Sequence, residues 1–221
     1  MPTLATHLHE LIRADLLAGA FDPGSKLAID AIATRYGAGQ TPIREALNRL
    51  TSEGLVERRD QRGFAVAQVS ADDLIEITRT RCWLEEIALR QSIAARTDAW
   101  EERLVLAHHR LARTPRSLSS ERFENNPEWE PLHHAFHDAL IGGCGSRWLI
   151  GFCNQLADQL YRYRQLSLKR AFPKRRERDE HKAIVEAAVG GDADAAVGLL
   201  QTHYQRTADM IRNDPTLFGA H

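Results

Sequence analysis

Ten histidines are spread along this 221-residue chain, and four of them are spaced for metal chemistry. His133 and His137 lie four apart, so on a helix they point the same way. Leu132, Phe136 and Leu140 stand beside them, which turns the pair toward a core rather than toward water. His181 neighbours Ile184 and Val185, and His203 is aligned with Leu199 and Leu200. Four imidazoles on three inward faces could converge on one ion. Imidazole donors favour zinc, nickel, cobalt or copper over magnesium and manganese, which prefer oxygen. A lone inward histidine is more often a hydrogen-bonded core residue, and His7, His9, His108, His109, His134 and His221 are assigned to that class or to solvent. The pair does not read as hydrolytic. A zincin helix needs a glutamate after its first histidine, and His133-His134-Ala135-Phe136-His137 carries no carboxylate.

A second set of residues fits the chemistry of DNA bases and phosphates. In Thr41-Pro42-Ile43-Arg44-Glu45-Ala46-Leu47, Thr41 reads as a helix N-cap and Pro42 as the first helical residue. Ile43, Ala46, Leu47 and Leu50 recur at helical spacing and make one apolar stripe. Arg44, Asn48 and Arg49 fall off it and face outward, and Gly54 marks the end. Farther on, Arg58, Arg59 and Arg62, with the turn glycine Gly63, could reach phosphates or the minor groove.

Elements that would hold these residues can be read around them. Leu4, Leu8, Leu11, Ile12 and Leu16 predict a first amphipathic helix ending near Gly19. Asp22-Pro23-Gly24 is a turn. Asp30 could cap a short second helix with Ile32, Ala33 and Tyr36 inward, and Gly37-Ala38-Gly39 turns into the Arg44 helix as in a helix-turn-helix. Leu55–Arg58 and Phe64–Ala67 predict a hairpin closed by Asp60-Gln61-Arg62-Gly63, the wing. After Val69 the strand signal fades. Ser70–Asp73 reads as a cap-like linker, followed by a helix marked by Leu74, Ile77, Arg81, Leu84, Ala88 and Leu89. Asp98 caps the next, with Trp100, Leu104, Ala107 and Leu111 on one face. Thr114 to Pro127 reads as a polar loop with a helical turn. Trp129, Leu132, Phe136 and Leu140 mark a third helix of this half. Trp148, Phe152, Leu156, Leu160 and Tyr163 mark a long fourth, and Glu177–Ala188 and Ala193–Ile211 two more. The expected fold is mainly α: a winged helix-turn-helix over residues 1–69, a linker at 70–73 and an all-helical antiparallel bundle over 74–221.

Composition bounds the partners. The formal net charge is −1, so DNA affinity must come from local clusters. No apolar run approaches the ~20 residues of a membrane span, and no signal peptide is visible. Cys82, Cys144 and Cys153 are odd in number and scattered, as expected of free thiols in a cytoplasmic protein.

These motifs together resemble the GntR family of transcription regulators, in its FadR-type branch with a helical FCD effector-binding domain. The resemblance covers nearly the whole chain. It rests on Pro23-Gly24, the Thr41–Leu47 segment with Leu50, Glu53-Gly54-Leu55 and Gly63. Behind these come Arg81 with Leu84-Glu85, Phe136-His137, Glu180-His181 and His203. It implies that His137, His181 and His203 are metal ligands, with His133 standing where an aspartate is usual. Four neutral imidazoles would leave a divalent ion its full charge, so zinc or nickel is expected, drawing an anionic effector to an open position. The resemblance also implies that arginines grip a small carboxylate. Arg81, Arg162 and Arg164 are the choices, each with a surface ion pair as the alternative, and a short dicarboxylate is the favoured effector. Gln40 stands where the family has a guanine-reading arginine; glutamine suits adenine instead. Gln40, Thr41, Arg44, Asn48 and Arg49, with the wing arginines, are thus the expected contacts to a double-stranded operator. The expected molecule is a homodimeric, non-enzymatic regulator, commonly a repressor in this family, released from a palindromic site by effector. Two alternatives stand beside it, a sensor of the metal itself and a metal-dependent hydrolase. Lys169-Arg170 to Lys174-Arg175-Arg176 reads as a solvated loop.

Overall fold

The computed structural model describes residues 3–119, 121, 124–168, 177–214 and 217–218. The basic run 169–176 and His221 lie outside them.

Helix α1 spans Leu4–Leu17, and Thr3 caps it by accepting from the Thr6 amide. Strand β1 is Lys26–Leu27, α2 is Ile29–Tyr36 and α3 is Gln40–Ser52. Strands β2 (Val56–Arg59) and β3 (Gly63–Val66) form the wing. The sheet order is β1-β3-β2, all antiparallel, with Leu27 opposite Phe64 and Arg58 opposite Phe64 on the other side. Strand β1 is an addition to the sequence reading, because two residues carry no alternation to detect. Ile43, Ala46, Leu47 and Leu50 of α3 are fully buried and pack with Leu8, Ile12, Leu16 and Phe64. Each such large side chain contributes roughly 1.5–3 kcal/mol of burial, so α3 is held by its stripe.

Three expected caps are corrected. The carbonyl of Gly39 accepts from the Ile43 amide, so Gly39 is the α3 cap and Thr41 sits inside the first turn. Pro42 is tolerated there, since the first four helical amides have no intrahelical acceptor. Helix α2 begins one residue before Asp30, capped by Ala28 without a side-chain bond. Thr97, not Asp98, caps α5 by accepting from the Trp100 amide. Gly37 takes φ 61°, the left-handed turn that joins α2 to α3.

The rest is a helical bundle: α4 (Ala71–Ala94), α5 (Asp98–Arg113), α6 (Trp129–Ile141), α7 (Arg147–Leu168), α8 (Glu177–Gly190) and α9 (Ala193–Arg212). Ser70 caps α4 by accepting from the Asp73 amide, so the stretch expected as a linker is the start of that helix. Between Thr114 and Pro127 the described residues carry no helical turn but a bridge between Ser117 and Asn125. The core gathers Leu89, Trp100, Leu104, Phe136, Leu140, Ile184, Val197 and Leu200. Helix α7 departs from its predicted stripe. Trp148 and Phe152 are 69% and 54% exposed, while Cys153, Leu160 and Tyr163 are buried. Its buried face is rotated because α7 packs against both α4 and α1.

Candidate metal centre and nucleic-acid interface

Helix α3 presents Thr41, Arg44, Asn48 and Arg49 to solvent. Arg44 and Asn48 make no hydrogen bond or ion pair among the described residues, which leaves their polar ends available. Gln40 donates from Nε2 to Asp30 Oδ1 at 2.6 Å, and Arg49 donates to Thr6 Oγ1 at 3.3 Å. In the wing, Arg58, Arg62 and Gly63 are exposed, and Arg59 stands 3.5 Å from Glu57. Gln61 and Gly63 both have positive φ, the tight turn that projects Arg62.

His133 and His137 come from α6, His181 from α8 and His203 from α9, and all four are buried. One nitrogen from each lies within 4.8 Å of the others. The Nε2 atoms of His133 and His137 are 3.2 Å apart. Tetrahedral zinc at Zn–N of about 2.0–2.1 Å sets its nitrogens about 3.3 Å apart, a spacing the His133–His137 pair already has and to which the other two imidazoles would have to move in. Burial pushes the pKa of His133 well below the ordinary imidazole range, aided by the Arg164 guanidinium. Burial does the same to His137, aided by Arg81. Both rings are therefore neutral, with a lone pair to offer.

Carboxylates orient the rings from behind. His203 Nδ1 lies 2.8 Å from Glu180 Oε2. His137 Nδ1 lies 2.9 Å from the Tyr204 hydroxyl, which donates to Glu85 Oε2 at 2.5 Å. Burial raises the Tyr204 pKa far above its usual value, so the phenol keeps its proton for that bond. Arg81 donates from Nε to Glu85 at 2.6 Å and from Nη2 to Tyr204 at 2.9 Å. His133 stacks on Trp129 at 4.5 Å between centroids, and its Nδ1 faces Arg164 at 3.4 Å. Partners that accept from the non-ligating nitrogen, Glu180 for His203 and the Tyr204 hydroxyl for His137, fix the tautomer and raise ligand basicity, whereas Arg164 can only donate toward His133.

The centre opens onto a cavity of about 480 Å³. His133, His137 and His203 line one end, with Arg81 and Arg164 in its walls. Helix α1 lines the same cavity through Arg13, Ala14, Leu17 and Ala18. Arg162 does not. It is 2% exposed and donates to the Ala67 carbonyl, because its position on α7 turns it toward the end of the wing. It therefore leaves the expected carboxylate-binding set and becomes a strut between the two halves. Of the remaining histidines, His9 lies 2.5 Å from Glu53 and His134 pairs with Asp138 at 3.0 Å.

The roles of Tyr204, Glu180 and Glu85 were not read from the sequence. Glu85 sits four residues after Arg81, a spacing that pairs them on a helix, and Glu180 precedes His181 directly; both signals were present. The approach of α1 had none, since it depends on how the two halves pack.

Family models match both halves: "Bacterial regulatory proteins, gntR family" over residues 4–66 and "FCD domain" over residues 76–206. The chain is 37% identical over 206 residues to the HTH-type transcriptional regulator BphR of Paraburkholderia xenovorans, across 91% of this chain and 82% of that protein. It is 32% identical over 205 residues to the HTH-type transcriptional repressor GlaR of Escherichia coli, across 91% and 92%. The solved structure of E. coli McbR/YncC shares the fold with a TM-score of 0.76 at 21% identity, over 96% of this chain and 98% of that one.

Proposed function

Since the chain belongs to the GntR family of bacterial regulatory proteins and carries an FCD domain, it is a DNA-binding transcriptional regulator and not an enzyme, and we propose that it is a metal-dependent repressor released from its operator by a small carboxylate. In this reading residues 1–69 bind DNA, residues 74–221 bind metal and effector, and Ser70–Asp73 is the joint between them. Arg44 and Asn48 read bases in the major groove, with Thr41 and Arg49 at flanking phosphates and Arg58, Arg59, Arg62 and Gly63 of the wing at the backbone or minor groove. Gln40 reads adenine only by giving up its bond to Asp30.

The observation that carries the effector half is the four-histidine cluster opening on a cavity. His133, His137, His181 and His203 would hold zinc or nickel, which would take one carboxylate oxygen by expanding beyond four ligands. Arg81 and Arg164 position the histidines and shape the wall. Repression is supported by the name of the relative GlaR. A homodimer is supported by the geometry of a palindromic site, whose half-sites need two reading helices about one DNA turn apart. Trp83 and Ile87, one turn apart on α4 and 56% and 49% exposed, are offered as part of its interface. No helix among the described residues is long and apolar enough to cross a membrane, and we place the protein in the cytoplasm with its DNA.

The test is operator binding by fluorescence anisotropy on protein of measured metal content, titrated with carboxylates and separately with a chelator. Release by a carboxylate only when metal is present is the expected result. Metal-free protein that binds and responds to a carboxylate at full strength would refute it. Release by the chelator alone would instead make the metal the signal.

A further inference from the structure

The cavity's chemistry defines its ligand more narrowly, provided the carboxylate reading above holds. Each arginine that reaches the cavity is already claimed by a carboxylate in the same wall. Arg81 is held by Glu85 at 2.6 Å. Arg164 is held by Glu130. Arg13 of α1 is held by Asp158 and, at 3.0 Å, by Glu53. Asp138, at the rim, is paired with His134 at 3.0 Å. The histidine end can attract one anionic head. A second carboxylate on the ligand would meet no unclaimed cation among the described residues. To take Arg13 it would have to displace Asp158, whose side chain is 17% exposed. Removing one partner of a largely buried pair leaves an uncompensated charge and is unfavourable.

The remaining wall is mostly apolar, with Asn125, Asn126, Asn154 and Thr207 as its polar exceptions, and part of it belongs to the other half of the molecule. Ala14 and Leu17 of α1 and its cap residue Ala18 contribute there, with Ile141 and Leu160 among the apolar residues of the bundle. Leu17 is 5% exposed. A ligand body lying here touches the DNA-binding half directly, so occupancy and the pose of that half are linked through shared contacts.

We propose that the effector is a monocarboxylate with an apolar body, its head at the four-histidine end and its body against Ala14, Leu17 and Ala18 of α1. This replaces the short dicarboxylate expected from sequence.

Calorimetric titration of the zinc-loaded full chain tests it with acetate, butanoate and hexanoate, and with the dicarboxylates of matching length, succinate and adipate. Affinity should rise along the monocarboxylates by up to about fourfold per added methylene, the effect of burying one such group. Hexanoate should bind about tenfold tighter than adipate, the equivalent of one unpaired charge only partly relieved by solvent. Adipate equal to or tighter than hexanoate overturns the proposal, because a second cation must then be available. Affinity independent of chain length overturns it as well, because the body then does not reach the apolar wall. Binding by none of these acids removes the carboxylate reading and this inference with it. Ala14→Trp, at an exposed position of α1, should reduce hexanoate affinity relative to acetate by about tenfold, through loss of the space the body fills. An unchanged ratio would put the body elsewhere and overturn the assignment to α1.

Discussion

At the level of single residues, Tyr204 carries more of the centre than its aromatic character announces. Its hydroxyl joins His137 to Glu85 and Arg81, so one phenol fixes the direction of a proposed ligand. Tyr204→Phe should therefore weaken metal binding by about tenfold or more, as loss of such outer partners commonly does. Competition against a chelator of known affinity measures this, and an unaltered affinity would mean that packing alone orients His137. On the other surface, Arg44 is exposed and unengaged. Arg44→Ala should cost about 1–3 kcal/mol of operator affinity and relax the preference at one base pair. An equal loss on operator and on random DNA would assign Arg44 to a phosphate. The histidine and arginine identities behind both predictions were legible in the sequence. The hydroxyl was not, because a tyrosine next to a histidine in an amphipathic helix looks like core.

At the level of elements, the apolar stripes were the most readable feature. Ile43, Ala46, Leu47 and Leu50 are buried as their spacing predicts, and so are Trp100, Leu104 and Leu111 on α5. Leu47→Ala should destabilise the winged domain by about 2–5 kcal/mol, read as a fall in the unfolding midpoint. A loss below 1 kcal/mol would mean that the site collapses around the smaller side chain. Caps were less readable, because Gly39 and Ala28 hold the cap positions by backbone geometry alone and Thr97 takes the α5 cap one residue before Asp98. The stripe on α7 was misread for a different reason. Its apolar positions serve the contacts with α4 and α1 and leave Trp148 and Phe152 outside. Exposed Trp83 on α4 poses the same question, and Trp83→Glu should shift the sedimentation coefficient toward that of a monomer. Unchanged sedimentation would move the proposed interface to another face.

At the level of the whole molecule, polar contacts join the two halves beside the packing of Tyr161 of α7 against the winged domain's core. Arg13 joins Asp158, Gln159 donates to the Glu53 carbonyl at 2.9 Å and Arg162 donates to Ala67. Such contacts can be exchanged at small net cost, which suits the two poses that the proposed release mechanism calls for. Arg13→Ala should speed amide exchange in α1 and reduce the factor by which effector weakens operator binding, since both follow from a looser joint. If exchange in α1 is unchanged, the joint is held by the other contacts and Arg13 is not its latch.

The sequence by itself determined the two kinds of structure, the α3 helix with its outward arginine, and the four histidines, because each depends on local spacing within single helices. Tertiary structure alone decided which arginine faces the cavity, which residues stand behind the histidines, and that α1 closes the same space. Those depend on the rotation of α7 and on the packing of two separately folded halves, which short-range periodicity does not encode.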